Sequence, residues 1–157
     1  MDFDLPLGVV QIKEFQQNRH PLLFVDQITA LEPGVSAKGL KTFSYNEWFF
    51  PAHFEDDPNV PGFIQVETLV QVFIMTFLTL DEWKGEKTNF IRIEEAVFKR
   101  KIIPGETLIV DARLNSFRRG IAQGESLGYV NGELTCSAKF LVAIPTYLNK
   151  FKPRNLK

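Results

Sequence analysis

Two residues fourteen positions apart form the first chemical pair in this chain. His53 is one of only two histidines, and it precedes a run rich in Asp and Pro. Glu67 is the one carboxylate in the apolar stretch 63–80. An imidazole takes up a proton near neutral pH. A carboxyl set among apolar side chains has its pKa raised by burial, so it can hold and give a proton in the same range. Between the two lies Pro61-Gly62, a start signal for a helix. The free N–H groups at a helix start favour negative charge, and a glycine there lets a ligand approach the backbone. A base, an acid and an amide oxyanion hole suit one kind of reaction: proton abstraction next to a carbonyl with loss of a group from the β carbon. The same residues also fit a plain structural reading, with His53 as a turn residue and Glu67 as a buried partner for an arginine.

Other chemistries find less support. His20 and His53 lack ligand-like spacing and there is one cysteine, so no metal is expected. Neither a glycine-rich phosphate loop nor a GxSxG elbow occurs. Ser126 has no histidine near it in sequence.

The elements that must position the pair follow from the pattern. Val9 to Phe15 reads as a short helix. A strand is expected from about Leu22 to Leu31, ending at Pro33-Gly34, and a second over 35–46 with Gly39 as a bulge. Residues 46–62 carry three prolines and read as irregular. A helix of about five turns follows over 61–80, capped by Asn59 or Val60, with Pro61 in its first turn and Trp83-Lys84-Gly85 closing it. Its polar residues fall in two zones. Gln65, Thr68, Thr76 and Thr79 share one side, which can meet solvent or a sheet edge. Glu67 and Gln71 lie one turn apart on another, flanked by Phe63, Val66, Val70 and Ile74. Four strands follow, over 88–98, 106–117, 120–130 and 133–144. Pro104-Gly105 separates the first two, and Asn131-Gly132 is a strong hairpin signal between the last two. Residues 1–18 read as an N-terminal segment with its short helix, and 146–157 as a polar basic tail.

One helix, apolar nearly all round, must be covered on most sides. The expected fold class is α+β: an antiparallel sheet curled around one long central helix. A single small sheet leaves edges open, which points to a dimer with a continuous sheet. The 157 residues fit a single domain, 45% apolar with 15 Phe, which is ample for a core. A net charge of -1 gives no overall field toward nucleic acid. The first ten residues carry two aspartates and no basic n-region, unlike a secretory signal. The polar interruptions in 63–80 argue for a buried helix, not a membrane span. The lone Cys136 fits a reducing, cytoplasmic setting.

The stretch "AHFEDDPNVPGFIQVETLVQ" resembles the mark of the hotdog-fold 3-hydroxyacyl-acyl-carrier-protein dehydratases of the FabZ type, roughly GHFPGxPxMPGxLxxEAxAQ. The His-Phe, the PxxPG, the Glu and the Gln match without a gap. "RHPLLFVDQI", "NEWFFPAHF", "AVFKRKIIPGETL" and the final hairpin continue the likeness over about 19–143. The resemblance implies a hotdog homodimer, in cases a homohexamer built as a trimer of dimers, with sites at the dimer interface. His53 would take the α proton of a 3-hydroxyacyl thioester, and Glu67 would protonate the departing β hydroxyl. The Gly62 N–H would bind the thioester carbonyl, and Gln71 would orient Glu67. Phe54, Phe63, Val66 and Val70 would line an acyl tunnel. Lys99, Arg100, Lys101, Arg118 and Arg119 are candidates for the phosphopantetheine arm and an acidic acyl carrier protein, or ordinary solvated strand ends. The resemblance implies no cofactor and no metal, and with glutamate at 67 it implies dehydration without isomerisation.

This sequence departs from the mark at Ala52, Glu55 and Asp56, where the family carries Gly, Pro and Gly, and at Thr68, Val70 and Lys101. A hotdog acyl-thioesterase and a non-catalytic acyl-carrier-binding subunit remain as alternative readings.

Overall fold

The computed structural model describes residues 3–151. Its elements run β1 (Leu7–Gly8), α1 (Val9–Phe15), β2 (Gln27–Glu32), β3 (Ser36–Thr42), α2 (Gly62–Leu78), β4 (Asn89–Phe98), β5 (Thr107–Arg118), β6 (Ile121–Val130), β7 (Glu133–Ala143) and α3 (Pro145–Leu148). The strands form one antiparallel seven-stranded sheet in the order β1-β2-β3-β5-β6-β7-β4. Alternate residues of β5 and β6 turn inward onto α2, as a period of two dictates. Aromatic rings bind helix to sheet: Phe73 stacks on Phe140 at 5.7 Å and Phe77 on Phe117 at 5.2 Å. Each such buried ring contributes about 1.5–3 kcal/mol. This is the sheet curled around one long helix that the pattern implied, with a two-residue first strand that it did not.

The Asn131-Gly132 hairpin forms, with φ of 50° and 79° at the two residues, the left-handed pair that a type I′ turn needs. Other expectations shift. β2 begins at Gln27, not Leu22, because the backbone before it is held by a side chain: Phe24 N–H donates to Gln71 Oε1 at 2.7 Å. β3 covers only the early part of 35–46. Gly39 is not the bulge; the register slips opposite it, between Ile28 and Ala30. Gly39 instead permits close approach, since a Cβ there would sit 2.9 Å from the Val72 side chain on α2.

α2 is shorter than the expected 61–80, and Pro61 is its N-cap, accepting from the Ile64 and Gln65 N–H groups. A 3-10 turn at Asp81–Trp83 follows. The Gln65–Thr79 side of α2 meets neither solvent nor a sheet edge; all four residues are buried. Their donors are satisfied locally, Thr68 Oγ1 on Ile64 C=O, Thr76 on Phe73, Thr79 on Met75 and Gln65 Nε2 on Val60. That lets a polar stripe face the core. Ser126 is buried too, donating to Leu69 C=O.

The start of the expected polar tail is a packed turn, with Tyr147 edge-on to Trp83 at 4.7 Å. Residues 1–2 of the N-terminal segment and 152–157 of the tail lie outside the described residues. No helix among the described residues is long and apolar enough to cross a membrane.

Candidate active site

Glu67 projects from the second turn of α2 and is half-buried. Its Oε1 accepts from Gln71 Nε2 at 2.7 Å and from Asn18 Nδ2 at 3.2 Å. Burial pushes the Glu67 carboxyl above its ordinary value, and the Gln71 hydrogen bond pulls part of that back. Gln71 is itself fixed. Its Nε2 also donates to Leu22 C=O at 2.7 Å, and its Oε1 accepts from Phe24 N–H. The segment 22–24 therefore holds the amide that holds the carboxyl.

Glu67 opens onto two adjoining clefts. One, of about 540 Å³, lies between the start of α2 and β4; Gly62, Phe63, Val66, Phe90, Ile93 and Phe98 line it with Glu67. The other, of about 400 Å³, runs on along α2 past Val70, Gln71 and Ile74 to Thr88 and Asn89. A larger hollow of about 600 Å³ lies over β2, β3, β5 and β6, away from these residues. At the head of the first cleft the Gly62 and Phe63 N–H groups have no partner among the described residues, because Pro61 C=O takes the next two amides. Phe98 lies over Gly62; a Cβ at that position would stand 3.2 Å from its ring. The cleft thus offers a carboxyl whose pKa burial raises, two free helix-start amides and apolar walls.

His53 ends a 3-10 turn at Phe50–Ala52 and is followed by a cis peptide bond to Phe54. Its Nδ1 lies 3.1 Å from Asn59 C=O. A carbonyl only accepts, so Nδ1 carries the hydrogen in this contact, and in the neutral ring Nε2 then holds the lone pair. Among the described residues no hydrogen bond joins His53 to Glu67, and His53 lines neither cleft. The two expected partners are not brought together within one chain.

The other expected residues divide. Phe63 and Val66 line the first cleft and Val70 the second. Phe54 lines neither; it is exposed and stacks on the His53 ring at 4.3 Å. The five cations do not form one patch. Lys99, Arg100 and Lys101 follow β4 at the end where Phe98 pairs with Cys136. Arg118 and Arg119 sit at the opposite end, where Arg118 pairs with Ile121 and Ile121 with Ala143. Arg100 is committed to Glu106, at 3.0 and 3.1 Å, with Glu133 beside it. Lys101 pairs with Asp57, while Glu55 and Asp56 face water. Sequence reasoning missed Asn18, Asn59 and the β4 lining, none of which carries a local signal.

β4 borders the first cleft and is one of the two edge strands of the sheet, opposite the two-residue β1. β7 pairs with one side of it, and no strand among the described residues pairs with the other. Phe90, Ile91, Ile93, Val97 and Phe98 are all exposed on it. Phe63 beside it is 63% exposed. A ten-residue edge strand that exposes these five apolar side chains invites a further strand.

A long apolar helix wrapped by one antiparallel sheet defines a hotdog-fold protein. The solved dehydratase heterocomplex ApeI:P from Xenorhabdus doucetiae has the same fold, with a TM-score of 0.74 over 91% of this chain and 97% of that one at 13% identity. A family model described as the FabA-like domain matches residues 17–139. The 3-hydroxyacyl-[acyl-carrier-protein] dehydratase FabZ of Clostridium novyi is 34% identical over 140 residues, covering 89% of this chain and 99% of that protein. The FabZ of Chloroflexus aggregans is 39% identical over 138 residues, covering 88% and 96%. The chain belongs to the FabA-like family, on its FabZ branch.

Proposed function

We propose that this chain is a dehydratase that converts 3-hydroxyacyl thioesters on an acyl carrier protein to trans-2-enoyl thioesters in cytoplasmic fatty-acid synthesis. The observation that carries the reading is the Glu67 carboxyl, raised by burial in an apolar cleft whose head presents two unpartnered amides. Two chains pair through their β4 edges into one continuous sheet, and trimers of such dimers form the larger assembly. The paired edges bring His53 of one protomer to the Glu67 cleft of the other.

The thioester carbonyl is bound by the N–H groups of Gly62 and Phe63. His53 Nε2 removes the α proton, and the carbonyl oxygen gains enolate character against those amides. As the Cα–Cβ double bond forms, the β hydroxyl leaves with the Glu67 proton as water. Transfer of the proton from His53 to Glu67 restores both groups. Gln71 and Asn18 hold the Glu67 carboxyl in place. The acyl chain runs along α2 past Val66, Val70 and Ile74. Lys99, exposed and next to Phe98 at the cleft, meets the carrier or its phosphopantetheine arm.

Incubation with a 3-hydroxyacyl thioester tests this reading. It predicts enoyl product without free thiol, abolished by His53→Ala and by Glu67→Gln with the fold intact. Release of thiol, or unchanged turnover in both variants, refutes it.

A further inference from the structure

The loop that carries His53 closes on one side chain that the mechanism above does not use. Asn59 is 8% exposed, although residues 54–57 of the same loop are exposed. Its N–H donates to His53 C=O at 2.9 Å, and its own C=O accepts from His53 Nδ1 at 3.1 Å. Its Nδ2 donates to Asp57 C=O at 2.9 Å. That same Asp57 carbonyl accepts the Phe54 N–H, while the Asp57 N–H returns to Phe54 C=O, both at 3.2 Å. The Asp57 carboxylate meets Lys101 from the loop after β4. On its far side the ring is anchored by Val60 N–H on Ile102 C=O at 2.8 Å.

We infer that Asn59 is a positioning residue for the base: its side-chain amide pins the 57–59 backbone so that its carbonyl holds His53 in the Nδ1–H tautomer, leaving Nε2 free to take the proton. The inference rests on the proposed dehydration. Where the FabZ mark has Pro after His-Phe, this chain has Glu55, so the fixed φ of a proline is lost there. The Asn59 amide and the Asp57–Lys101 pair restrain the loop through side chains instead. The exposed ion pair adds little by itself. The buried amide is the stronger restraint, because without it the Asp57 carbonyl keeps only the Phe54 N–H and the Asn59 carbonyl loses its tie to that carbonyl.

The test compares wild type with Asn59→Ala and with the volume-filling Asn59→Leu. It reads kinetics with a 3-hydroxyacyl thioester and imidazole 15N spectra, in which His53 is one of two histidine rings and its signals are identified by their loss in His53→Ala. The expected result is a fall in kcat of about tenfold in both variants with KM held within about twofold, together with movement of the His53 nitrogens from the Nδ1–H tautomer toward a mixture. Unchanged kcat, a fall in kcat with an unmoved His53 spectrum, or failure of both variants to fold each overturns the inference. Wild type without dehydration refutes the functional reading instead, and the spectra still report on the tautomer.

Discussion

Gln71→Leu severs the tie between the acid and the scaffold, and its cost follows from three bonds. The Phe24 N–H loses its acceptor in a segment where Phe24 itself is buried, which costs about 1–3 kcal/mol. The Leu22 carbonyl belongs to an exposed residue and can turn to water, so its loss adds little. The charge-assisted bond to Glu67 Oε1 contributes about 1.5–3 kcal/mol more while the carboxyl is ionised. Leucine regains part of this by apolar burial. The net loss is about 2–4 kcal/mol, a large share of the ~5–15 kcal/mol that a domain holds. It is measured from urea midpoints at one fixed protein concentration, because the proposed dimerisation makes the midpoint concentration-dependent. Acidification protonates Glu67 and weakens the bond that Gln71 makes to it, so the loss shrinks at low pH. In kinetics the limb of the pH profile set by Glu67 moves to higher pH, because the bond removed favoured the carboxylate. A loss below about 1 kcal/mol, or a limb displaced to lower pH, refutes the view that Gln71 couples the fold to the acid.

Two other outcomes follow from the same geometry. The Glu67 carboxyl is raised in the folded state above its unfolded value near 4.5, so the folded chain binds that proton more tightly. Wild type therefore loses stability as pH rises from about that value through the folded pKa. Glu67→Gln keeps a neutral acceptor for Gln71 and avoids the loss; urea titrations should find it more stable than wild type at neutral pH, with the gap closing below the unfolded value. Lysines placed together at Ile91 and Val97, on the open β4 edge but outside the cleft linings, should yield a monomer in light scattering that has lost turnover.

Much of this was legible in the chain because it is local chemistry. Asn131-Gly132 declares its hairpin through the conformations both residues adopt, and Pro61-Gly62 marks the helix start to within a residue. What stayed hidden depends on partners far away in sequence. Residues 22–26 carry a strand pattern, yet Gln71 claims part of their backbone from 47 positions off. The threonines of α2 read as a surface stripe, but their hydroxyls bond carbonyls in the preceding turn and leave the side free to be buried. Asn18 reaches Glu67 across 49 positions with no motif around it. Arg100 looked available for a carrier protein until Glu106 and Glu133 were seen beside it. The proposed acid and base, Glu67 and His53, stand out in the chain by type and spacing. Their separation within one chain was visible only from the fold, since His53 is fixed by Asn59 outside the clefts that Glu67 lines.

The central claim is that each site takes its base from one protomer and its acid from the other. Complementation tests it directly. His53→Ala and Glu67→Gln are purified separately, each inactive, then mixed and allowed to exchange subunits. Random pairing makes half of the dimers hybrid, and each hybrid holds one intact site of two. The account predicts recovery of about a quarter of wild-type dehydration, growing at the rate of subunit exchange. A mixture that stays inactive after exchange is demonstrated contradicts it, because a site contained within one chain can never be rebuilt from these two variants.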